Sequence, residues 1–193
     1  MALYGEDARI LSPAASLLAQ SYQQLGERDK AREIAQVDLY QHLLFVLEDS
    51  ALLATLAPDA ALLAEIMARA QAVVAAYGID TLAPNSVLVL YYTAAVAYCG
   101  LGQSEQALAY LDRYVEIAVS RFFPYSLHGD EFFDALDPWL AELAGGSQAP
   151  RSEATIKEGI IQALDHQIAF DSLKKDERFG ELLQRLRFHL AKQ

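Results

Sequence analysis

Cysteine is nearly absent from this chain of 193 residues, in which Cys99 stands alone. A single cysteine excludes an internal disulfide framework and any zinc site built from several thiolates, and it is typical of a reducing compartment. The amino terminus also lacks the basic segment and the apolar run of a secretory signal. We therefore expect a cytoplasmic protein.

Positive charge is scarce as well. The chain has 15 Lys and Arg residues against 26 Asp and Glu residues, a net charge of -11, and no lysine between Lys30 and Lys157. A surface of this sign repels nucleic-acid phosphates and anionic lipid. We therefore expect this chain to bind neither nucleic acid nor a membrane directly, while its 53% hydrophobic content is enough for a buried core.

Residues 81–104 carry no charged side chain and are numerous enough to cross a membrane. Proline, asparagine and glycine interrupt the two ends of this stretch, and its middle is Ala and Tyr rather than Leu and Ile. A buried helix in a bundle explains the stretch better than a transmembrane helix does.

Apolar residues recur at helical spacing along the chain and no stretch alternates like a strand, which predicts an all-α fold. The clearest helix has Asp59 as its N-cap and ends at Gly78. We predict helices over residues 12–25, 29–46, 48–57, 59–77, 86–101, 104–120, 131–144, 152–168 and 176–191. The last has an apolar stripe that must pack on the preceding helices or on a second chain: Phe179, Leu182, Leu183, Leu186 and Leu190.

One pattern occurs twice, in residues 18–31 and again in residues 94–107, at an offset of 76 residues. The alignment pairs Ala19 with Ala95, Tyr22 with Tyr98, Leu25 with Leu101, Gly26 with Gly102 and Ala31 with Ala107. Small residues allow close helix approach and glycine permits the turn between helices, although any antiparallel helix pair can carry such residues. The pattern resembles the tetratricopeptide repeat.

That resemblance implies antiparallel helix pairs stacked as a right-handed superhelix. We divide the chain accordingly into an extension over residues 1–11, repeats over residues 12–120, and a connecting segment with C-terminal capping helices over residues 121–193 of the same domain. Residues 1–11 are too few to hold a DNA-reading domain.

The order of four further segments narrows the resemblance. These are residues 38–44 (DLYQHLL), 123–134 (FPYSLHGDEFFD), 150–153 (PRSE) and 170–179 (FDSLKKDERF). With the repeats, they resemble the C-terminal tetratricopeptide-like domain of Cro/CI-type (XRE family) helix-turn-helix transcriptional regulators from Gram-positive bacteria. The resemblance implies a regulatory domain that senses a protein, peptide or small-molecule effector or associates with itself as a homodimer, with DNA binding on a separate domain.

Aromatic residues give the best indication of a ligand site. Tyr91 and Tyr92 are adjacent and therefore about 100° apart on a helix, so one of them can face a groove and contact an apolar ligand or peptide side chain. We add His42, His128 and Asp130 as candidate ligand-binding residues.

A metal site is the competing interpretation of the segment around His128. With Asp130 and Asp134, His128 forms a conceivable set of ligands for a divalent metal. We expect structural roles instead, in which Asp130 caps the next helix, Gly129 permits a turn, and the large aromatics of the segment are mostly buried: Phe122, Phe123, Phe132, Phe133 and Trp139.

No phosphate-binding glycine loop, nucleophile elbow or zinc-protease motif occurs in the sequence. We therefore predict no catalytic residue, no metal and no cofactor. A regulatory domain is the first interpretation, a stand-alone helical-repeat adaptor that binds a protein or peptide is the second, and an enzyme acting through residues 128–130 is the third.

Overall fold

The computed structural model describes residues 5–120, 122–143 and 151–192. Every regular element among these residues is helical and no strand occurs in them, so the predicted all-α class is confirmed. The α-helices are α1 (Gly5–Gln24), α2 (Arg28–Leu56), α3 (Ala60–Tyr77), α4 (Ile79–Leu82), α5 (Pro84–Gly100), α6 (Ser104–Ser120), α7 (Leu136–Glu142), α8 (Glu153–Asp165) and α9 (Glu177–Lys192), and a 3₁₀ turn covers Ile168–Phe170.

The chain forms two compact units. The first unit comprises Met1–Leu44 and His128–Ser147, and the second comprises Phe45–Leu127 and Gln148–Gln193. The division therefore falls inside α2.

In the first unit, the core forms where α2 meets α7 and the segment before α7. Tyr40, Phe133, Leu136 and Leu140 are buried there. The ring of Tyr40 contacts Phe133 and Trp139 edge-on, with both centroid distances 6.1 Å. The single tryptophan of the chain therefore lies beside the aromatic core of this unit.

The α5–α6 hairpin is the centre of the second unit. The uncharged stretch noted in the sequence forms α5, and Val87, Leu90 and Ala94 on this helix have no exposed surface. Helix α9 packs on α6 and α8. Four residues of its predicted stripe are buried within the chain, namely Phe179, Leu182, Leu186 and Leu190, so the stripe covers the preceding helices and is not free for a second chain.

Helix α3 shows both helix-end signals that the sequence predicted. The Asp59 carboxylate accepts hydrogen bonds from the backbone N–H groups of Ala61 and Leu62 at 3.0 and 2.9 Å, and Gly78 ends the helix with a φ of 61°. Among the described helices, α3 is the one whose length and composition would suffice to cross a membrane.

The two aligned turns have the same backbone geometry. Gly26 and Gly102 have φ values of 83° and 70°, in the left-handed region that favours glycine. In the first turn the N–H of Glu27 donates to the carbonyl of Tyr22, and in the second the N–H of Gln103 donates to the carbonyl of Tyr98, each at 2.9 Å. The sequence repeat is therefore also a repeat of local structure.

Helix α2 corrects the prediction of two helices over residues 29–46 and 48–57. Serine often favours helix ends, because its hydroxyl competes for backbone hydrogen bonds. The hydroxyl of Ser50 instead donates to the carbonyl of Val46 within the helix at 2.6 Å, and no glycine or proline interrupts the segment. The helix therefore continues to Leu56.

Helix α7 is shorter than the predicted helix over residues 131–144. Proline has no N–H to donate and is tolerated in the first turn of a helix. The start at Leu136 places Pro138 in that first turn, whereas a start at residue 131 would place it in the helix interior. Helix α1 is longer than predicted, since it begins at Gly5 and includes Ser12 and Pro13, which the sequence placed at its start.

Candidate functional site

Tyr91 and Tyr92 point to different neighbours, as their helical spacing predicts. Tyr91 is buried on one side of α5, with its ring centroid 5.9 Å from that of Tyr110. Tyr92 lies on another side, where its ring contacts Tyr114 and Phe170 with centroid distances of 6.1 and 5.7 Å. The two residues therefore do not form one site.

Tyr91 lies on the wall of a groove of about 450 Å³, together with Gln71, Asp80 and Arg113. The side-chain amide of Gln71 donates to the Tyr110 hydroxyl at 3.2 Å, and the guanidinium of Arg113 lies over the Tyr110 ring at 5.4 Å. The groove thus combines an aromatic wall with charges of both signs. Binding of an effector here stays a prediction.

Burial controls the acid–base behaviour of these phenols. It raises the pKa of Tyr110 to about 12 and also raises the pKa of Tyr91, although the nearby Arg113 acts in the opposite direction. Both hydroxyls are therefore neutral at physiological pH. They are suited to hydrogen bonding and have no tendency to act as bases.

Tyr92 has a structural partner that the sequence did not reveal. The side-chain amide of Gln167 donates to its hydroxyl at 2.6 Å, and the same side chain accepts from the N–H of Ala169. Tyr92 therefore helps to fix the 3₁₀ turn that follows α8. Its contacts are those of a packed residue.

His42 lies on α2 in the first unit and is exposed. Its Nδ1 atom is 2.6 Å from the carbonyl oxygen of Asp38, one turn earlier on the same helix. With Ser16 and Asp38, it lines a cavity of about 200 Å³ between α1 and α2. This is smaller than the pockets that usually hold small molecules.

The segment over residues 128–135 is held by its own backbone and by side chains of the first unit. The Asp130 carboxylate accepts from the N–H groups of Phe132 and Phe133 at 2.9 and 2.8 Å. The carboxylate therefore caps backbone N–H groups as predicted, but it closes a turn and not the start of a helix, since α7 begins only at Leu136. His128 places Nδ1 2.8 Å from the carbonyl of Gly129.

Gly129 is required by close packing. A Cβ atom on this residue would lie 2.1 Å from the carbonyl oxygen of Phe133, and its N–H donates to the Asp137 carboxylate at 2.7 Å. The chain therefore folds back on itself so tightly here that any side chain would collide with the backbone. Close backbone packing therefore explains why this position of the motif is a glycine.

Gln36 on α2 is the residue of this region that the sequence analysis missed. Its amide nitrogen donates to the carbonyl of Phe132 at 2.7 Å and to the Asp134 carboxylate at 2.9 Å, and its amide oxygen accepts from the N–H of Ala135 at 2.8 Å. One side chain therefore makes three hydrogen bonds to residues that lie 96 to 99 positions later in sequence. No local pattern marks such a partner.

The three residues of the competing metal interpretation, His128, Asp130 and Asp134, take part in other interactions. Asp134 pairs with Arg32 at 2.9 Å and with Gln36, while the carboxylate of Asp130 is occupied by backbone N–H groups. Within the described ranges no cluster of three potential ligands is present. Ligand contact by His128 or Asp130 stays a prediction, beside the structural contacts seen here.

Not all of the large aromatic residues around this segment lie in the core. Phe122 and Phe133 are buried, while Phe123 and Trp139 are half-buried. Phe132 is 59% exposed, which corrects its assignment to the core. Its ring lies edge-on to that of Phe133, with a centroid distance of 4.9 Å.

The chain shows no significant match to a family model, to a curated protein or to a solved structure.

Proposed function

We propose that this chain is the regulatory domain of a transcriptional regulator of the Cro/CI type, built from tetratricopeptide-like helix pairs stacked as a right-handed superhelix. It binds an effector and associates with itself, and DNA binding belongs to a separate domain. The observation that carries the proposal is the pair of similar turns between helices, 76 residues apart in sequence. The two turns share the aligned residues, a glycine with positive φ and the same backbone hydrogen bond.

The segment over residues 127–134 supports the same proposal. It is the most specific part of the family resemblance, and each of its marked residues has a physical task in the first unit. Gly129 allows the tight return of the backbone, Asp130 satisfies two N–H groups and Phe133 fills the core. Such a motif specifies a fold and does not require a reaction.

Self-association needs an exposed apolar surface, and the second unit has one. Leu52, Leu53 and Leu56 at the end of α2, with Leu62 at the start of α3, are all exposed. Exposed leucines at the end of one helix and the start of the next offer apolar surface of the kind that interaction sites use. In a regulator that reads two-fold symmetric operators, a second copy of the chain is the fitting occupant.

A repression assay tests this proposal. The chain is fused to a helix-turn-helix domain that represses a reporter only as a dimer, and repression is compared with that domain alone. We expect at least about tenfold stronger repression, which corresponds to about 1.4 kcal/mol of association energy. Leu56→Glu should abolish the gain, while Val89→Glu, at an exposed position on α5, should retain it.

Two results contradict the proposal. A fusion that represses no better than the DNA-binding domain alone removes self-association, and light scattering of the full chain near 21.3 kDa at micromolar concentrations does the same. Either result favours the stand-alone adaptor. Repression that survives Leu56→Glu but not Val89→Glu would place the dimer contact on α5.

A further inference from the structure

A cavity of about 320 Å³ lies in the second unit, where α8 faces the end of α6 and the start of α5. It contains none of the residues that the sequence singled out as a site. Its volume falls within the range of small-molecule pockets. It is about twice the 150 Å³ that accommodates benzene in a protein core, which leaves room for a bicyclic ring with one polar substituent.

Three aromatic rings form the wall of this cavity, those of Tyr114, Phe122 and Tyr125. Phe122 is buried, and its ring centroid is 5.2 Å from that of Tyr125. The hydroxyl of Tyr114 is used within the protein, since it donates to the carbonyl of Ile160 at 3.4 Å. The wall therefore offers aromatic rings to an occupant.

Three hydrogen-bond donors at the same cavity have no partner in the part of the chain that the structure describes. They are the guanidinium of Arg151, the amide of Asn85 and the hydroxyl of Tyr125. Burial raises the pKa of Tyr125, so this phenol keeps its proton at physiological pH. The cavity thus combines an apolar wall with donors that remain available.

The charge of the cavity is the reverse of the charge of the chain. Among the described residues that line it, Arg151 is the one that carries a charge, and none is a carboxylate. Most other basic side chains of the described ranges pair with a carboxylate: Lys30, Arg32, Arg69, Lys157, Lys174, Arg178, Arg185 and Arg187. An unpaired arginine beside an aromatic cavity is suited to bind a carboxylate.

We propose that this cavity binds a small aromatic carboxylate, whose ring packs against Tyr114, Phe122 and Tyr125 and whose carboxylate is held by Arg151 with help from Asn85. The inference goes beyond the proposed function, because it requires neither self-association nor a role in transcription. The same reasoning excludes an aromatic amine, since Arg151 would repel its positive charge.

Calorimetric titration of the full chain with three probes of one shape tests the inference: 1-naphthoate, the neutral 1-naphthamide and the cationic 1-naphthylmethylamine. We expect 1-naphthoate to bind at least about tenfold more tightly than the amide, as a hydrogen bond to a charged group provides. Arg151→Gln should reduce that ratio to about one while retaining amide binding. This variant changes an exposed residue and should fold normally.

A matched pair of glycine variants locates the binding. Gly159 lines the cavity from α8, and a Cβ there meets no atom within 4 Å. Gly159→Leu should therefore fold and place its side chain in the cavity, weakening both naphthyl probes at least about tenfold. Gly180→Leu on α9, where a Cβ is equally free and no cavity wall is formed, should leave binding unchanged.

Three results would overturn the inference: a 1-naphthoate Kd weaker than about 1 mM, tighter binding of the amide or the amine, or binding that Gly159→Leu does not weaken. None of them affects the repression assay, which uses no ligand. A failure of this inference and a failure of the proposed function are therefore distinguishable.

Discussion

Phe133 and Phe132 are neighbours in sequence with opposite surroundings, which makes them a matched pair for testing the role of the 128–135 segment. Phe133 is 0% exposed and contacts Tyr40, whereas Phe132 is 59% exposed. We expect Phe133→Ala to lower the free energy of unfolding of the first unit strongly. Phe132→Ala should lower it by less than about 1 kcal/mol, as surface changes usually do.

The magnitude for Phe133 follows from its burial. A buried aromatic side chain removes about 150–250 Å² from water, and at about 25 cal/mol per Å² its lower range corresponds to about 4–5 kcal/mol. Alanine keeps the Cβ and recovers part of this, while the loss of the edge-on contact with Tyr40 adds about 0.5–1.5 kcal/mol. The sum agrees with the 3–5 kcal/mol typical of Phe→Ala in a core.

Trp139 supplies the assay, since it is the single tryptophan and its ring contacts Tyr40 in the same core. Urea unfolding followed by tryptophan fluorescence reports on the first unit, and far-UV circular dichroism reports on the helices of the whole chain. Phe133→Ala should shift the fluorescence midpoint to lower urea. If the two variants differ by less than about 1 kcal/mol, as two surface changes would, Phe133 is not the core residue described here.

Four further outcomes are expected. Asp130→Ala should cost about 0.5–2 kcal/mol in the same fluorescence assay, as a lost cap does, and a loss as large as that of Phe133→Ala would point to a larger role. EDTA should leave the melting temperature unchanged; a fall of several degrees that zinc reverses would restore the metal interpretation of residues 128–134. In gel-shift titrations at low salt, the chain should not bind duplex DNA more tightly than the non-specific level of about 10⁻⁴ to 10⁻⁶ M. Between neutral pH and about pH 10 the free energy of unfolding should change little, and it should fall toward pH 12, because the folded chain keeps the Tyr110 proton, with its pKa of about 12, at a pH where the unfolded chain releases it. Tyr110→Phe should reduce that loss, and an equal loss in both proteins would contradict the prediction.

Local signals predicted the helices well where the ends of an element are determined by nearby residues. The predicted helix over residues 104–120 coincides with α6 (Ser104–Ser120), and Asp59 and Gly78 bound α3 as expected. The glycine turns at Gly26 and Gly102 follow from the same logic, because a left-handed residue between two helices leaves few alternatives to glycine. In each instance the physical cause lies within a few residues of its effect.

Other features depend on distant partners and could not be predicted from local pattern. Phe132 and Phe133 are the same residue type side by side, and only the course of the backbone decides which one is buried. The three hydrogen bonds of Gln36 join α2 to residues 132–135, across a separation that no periodicity describes.

Binding chemistry lies furthest from what the sequence can show, as the second unit illustrates. Tyr91 and Tyr92 are adjacent in sequence, yet the fold places their rings against different neighbours. Asn85, Tyr125 and Arg151 stand far apart in sequence, and no regular spacing relates them, yet the fold places them on one cavity. A ligand binds to side chains that line the same cavity, whatever their separation in sequence. In a chain whose net charge is -11, the informative property of that space is the arginine that no carboxylate neutralises within the described residues, because a positive charge beside aromatic rings favours an anion that the rest of the surface repels.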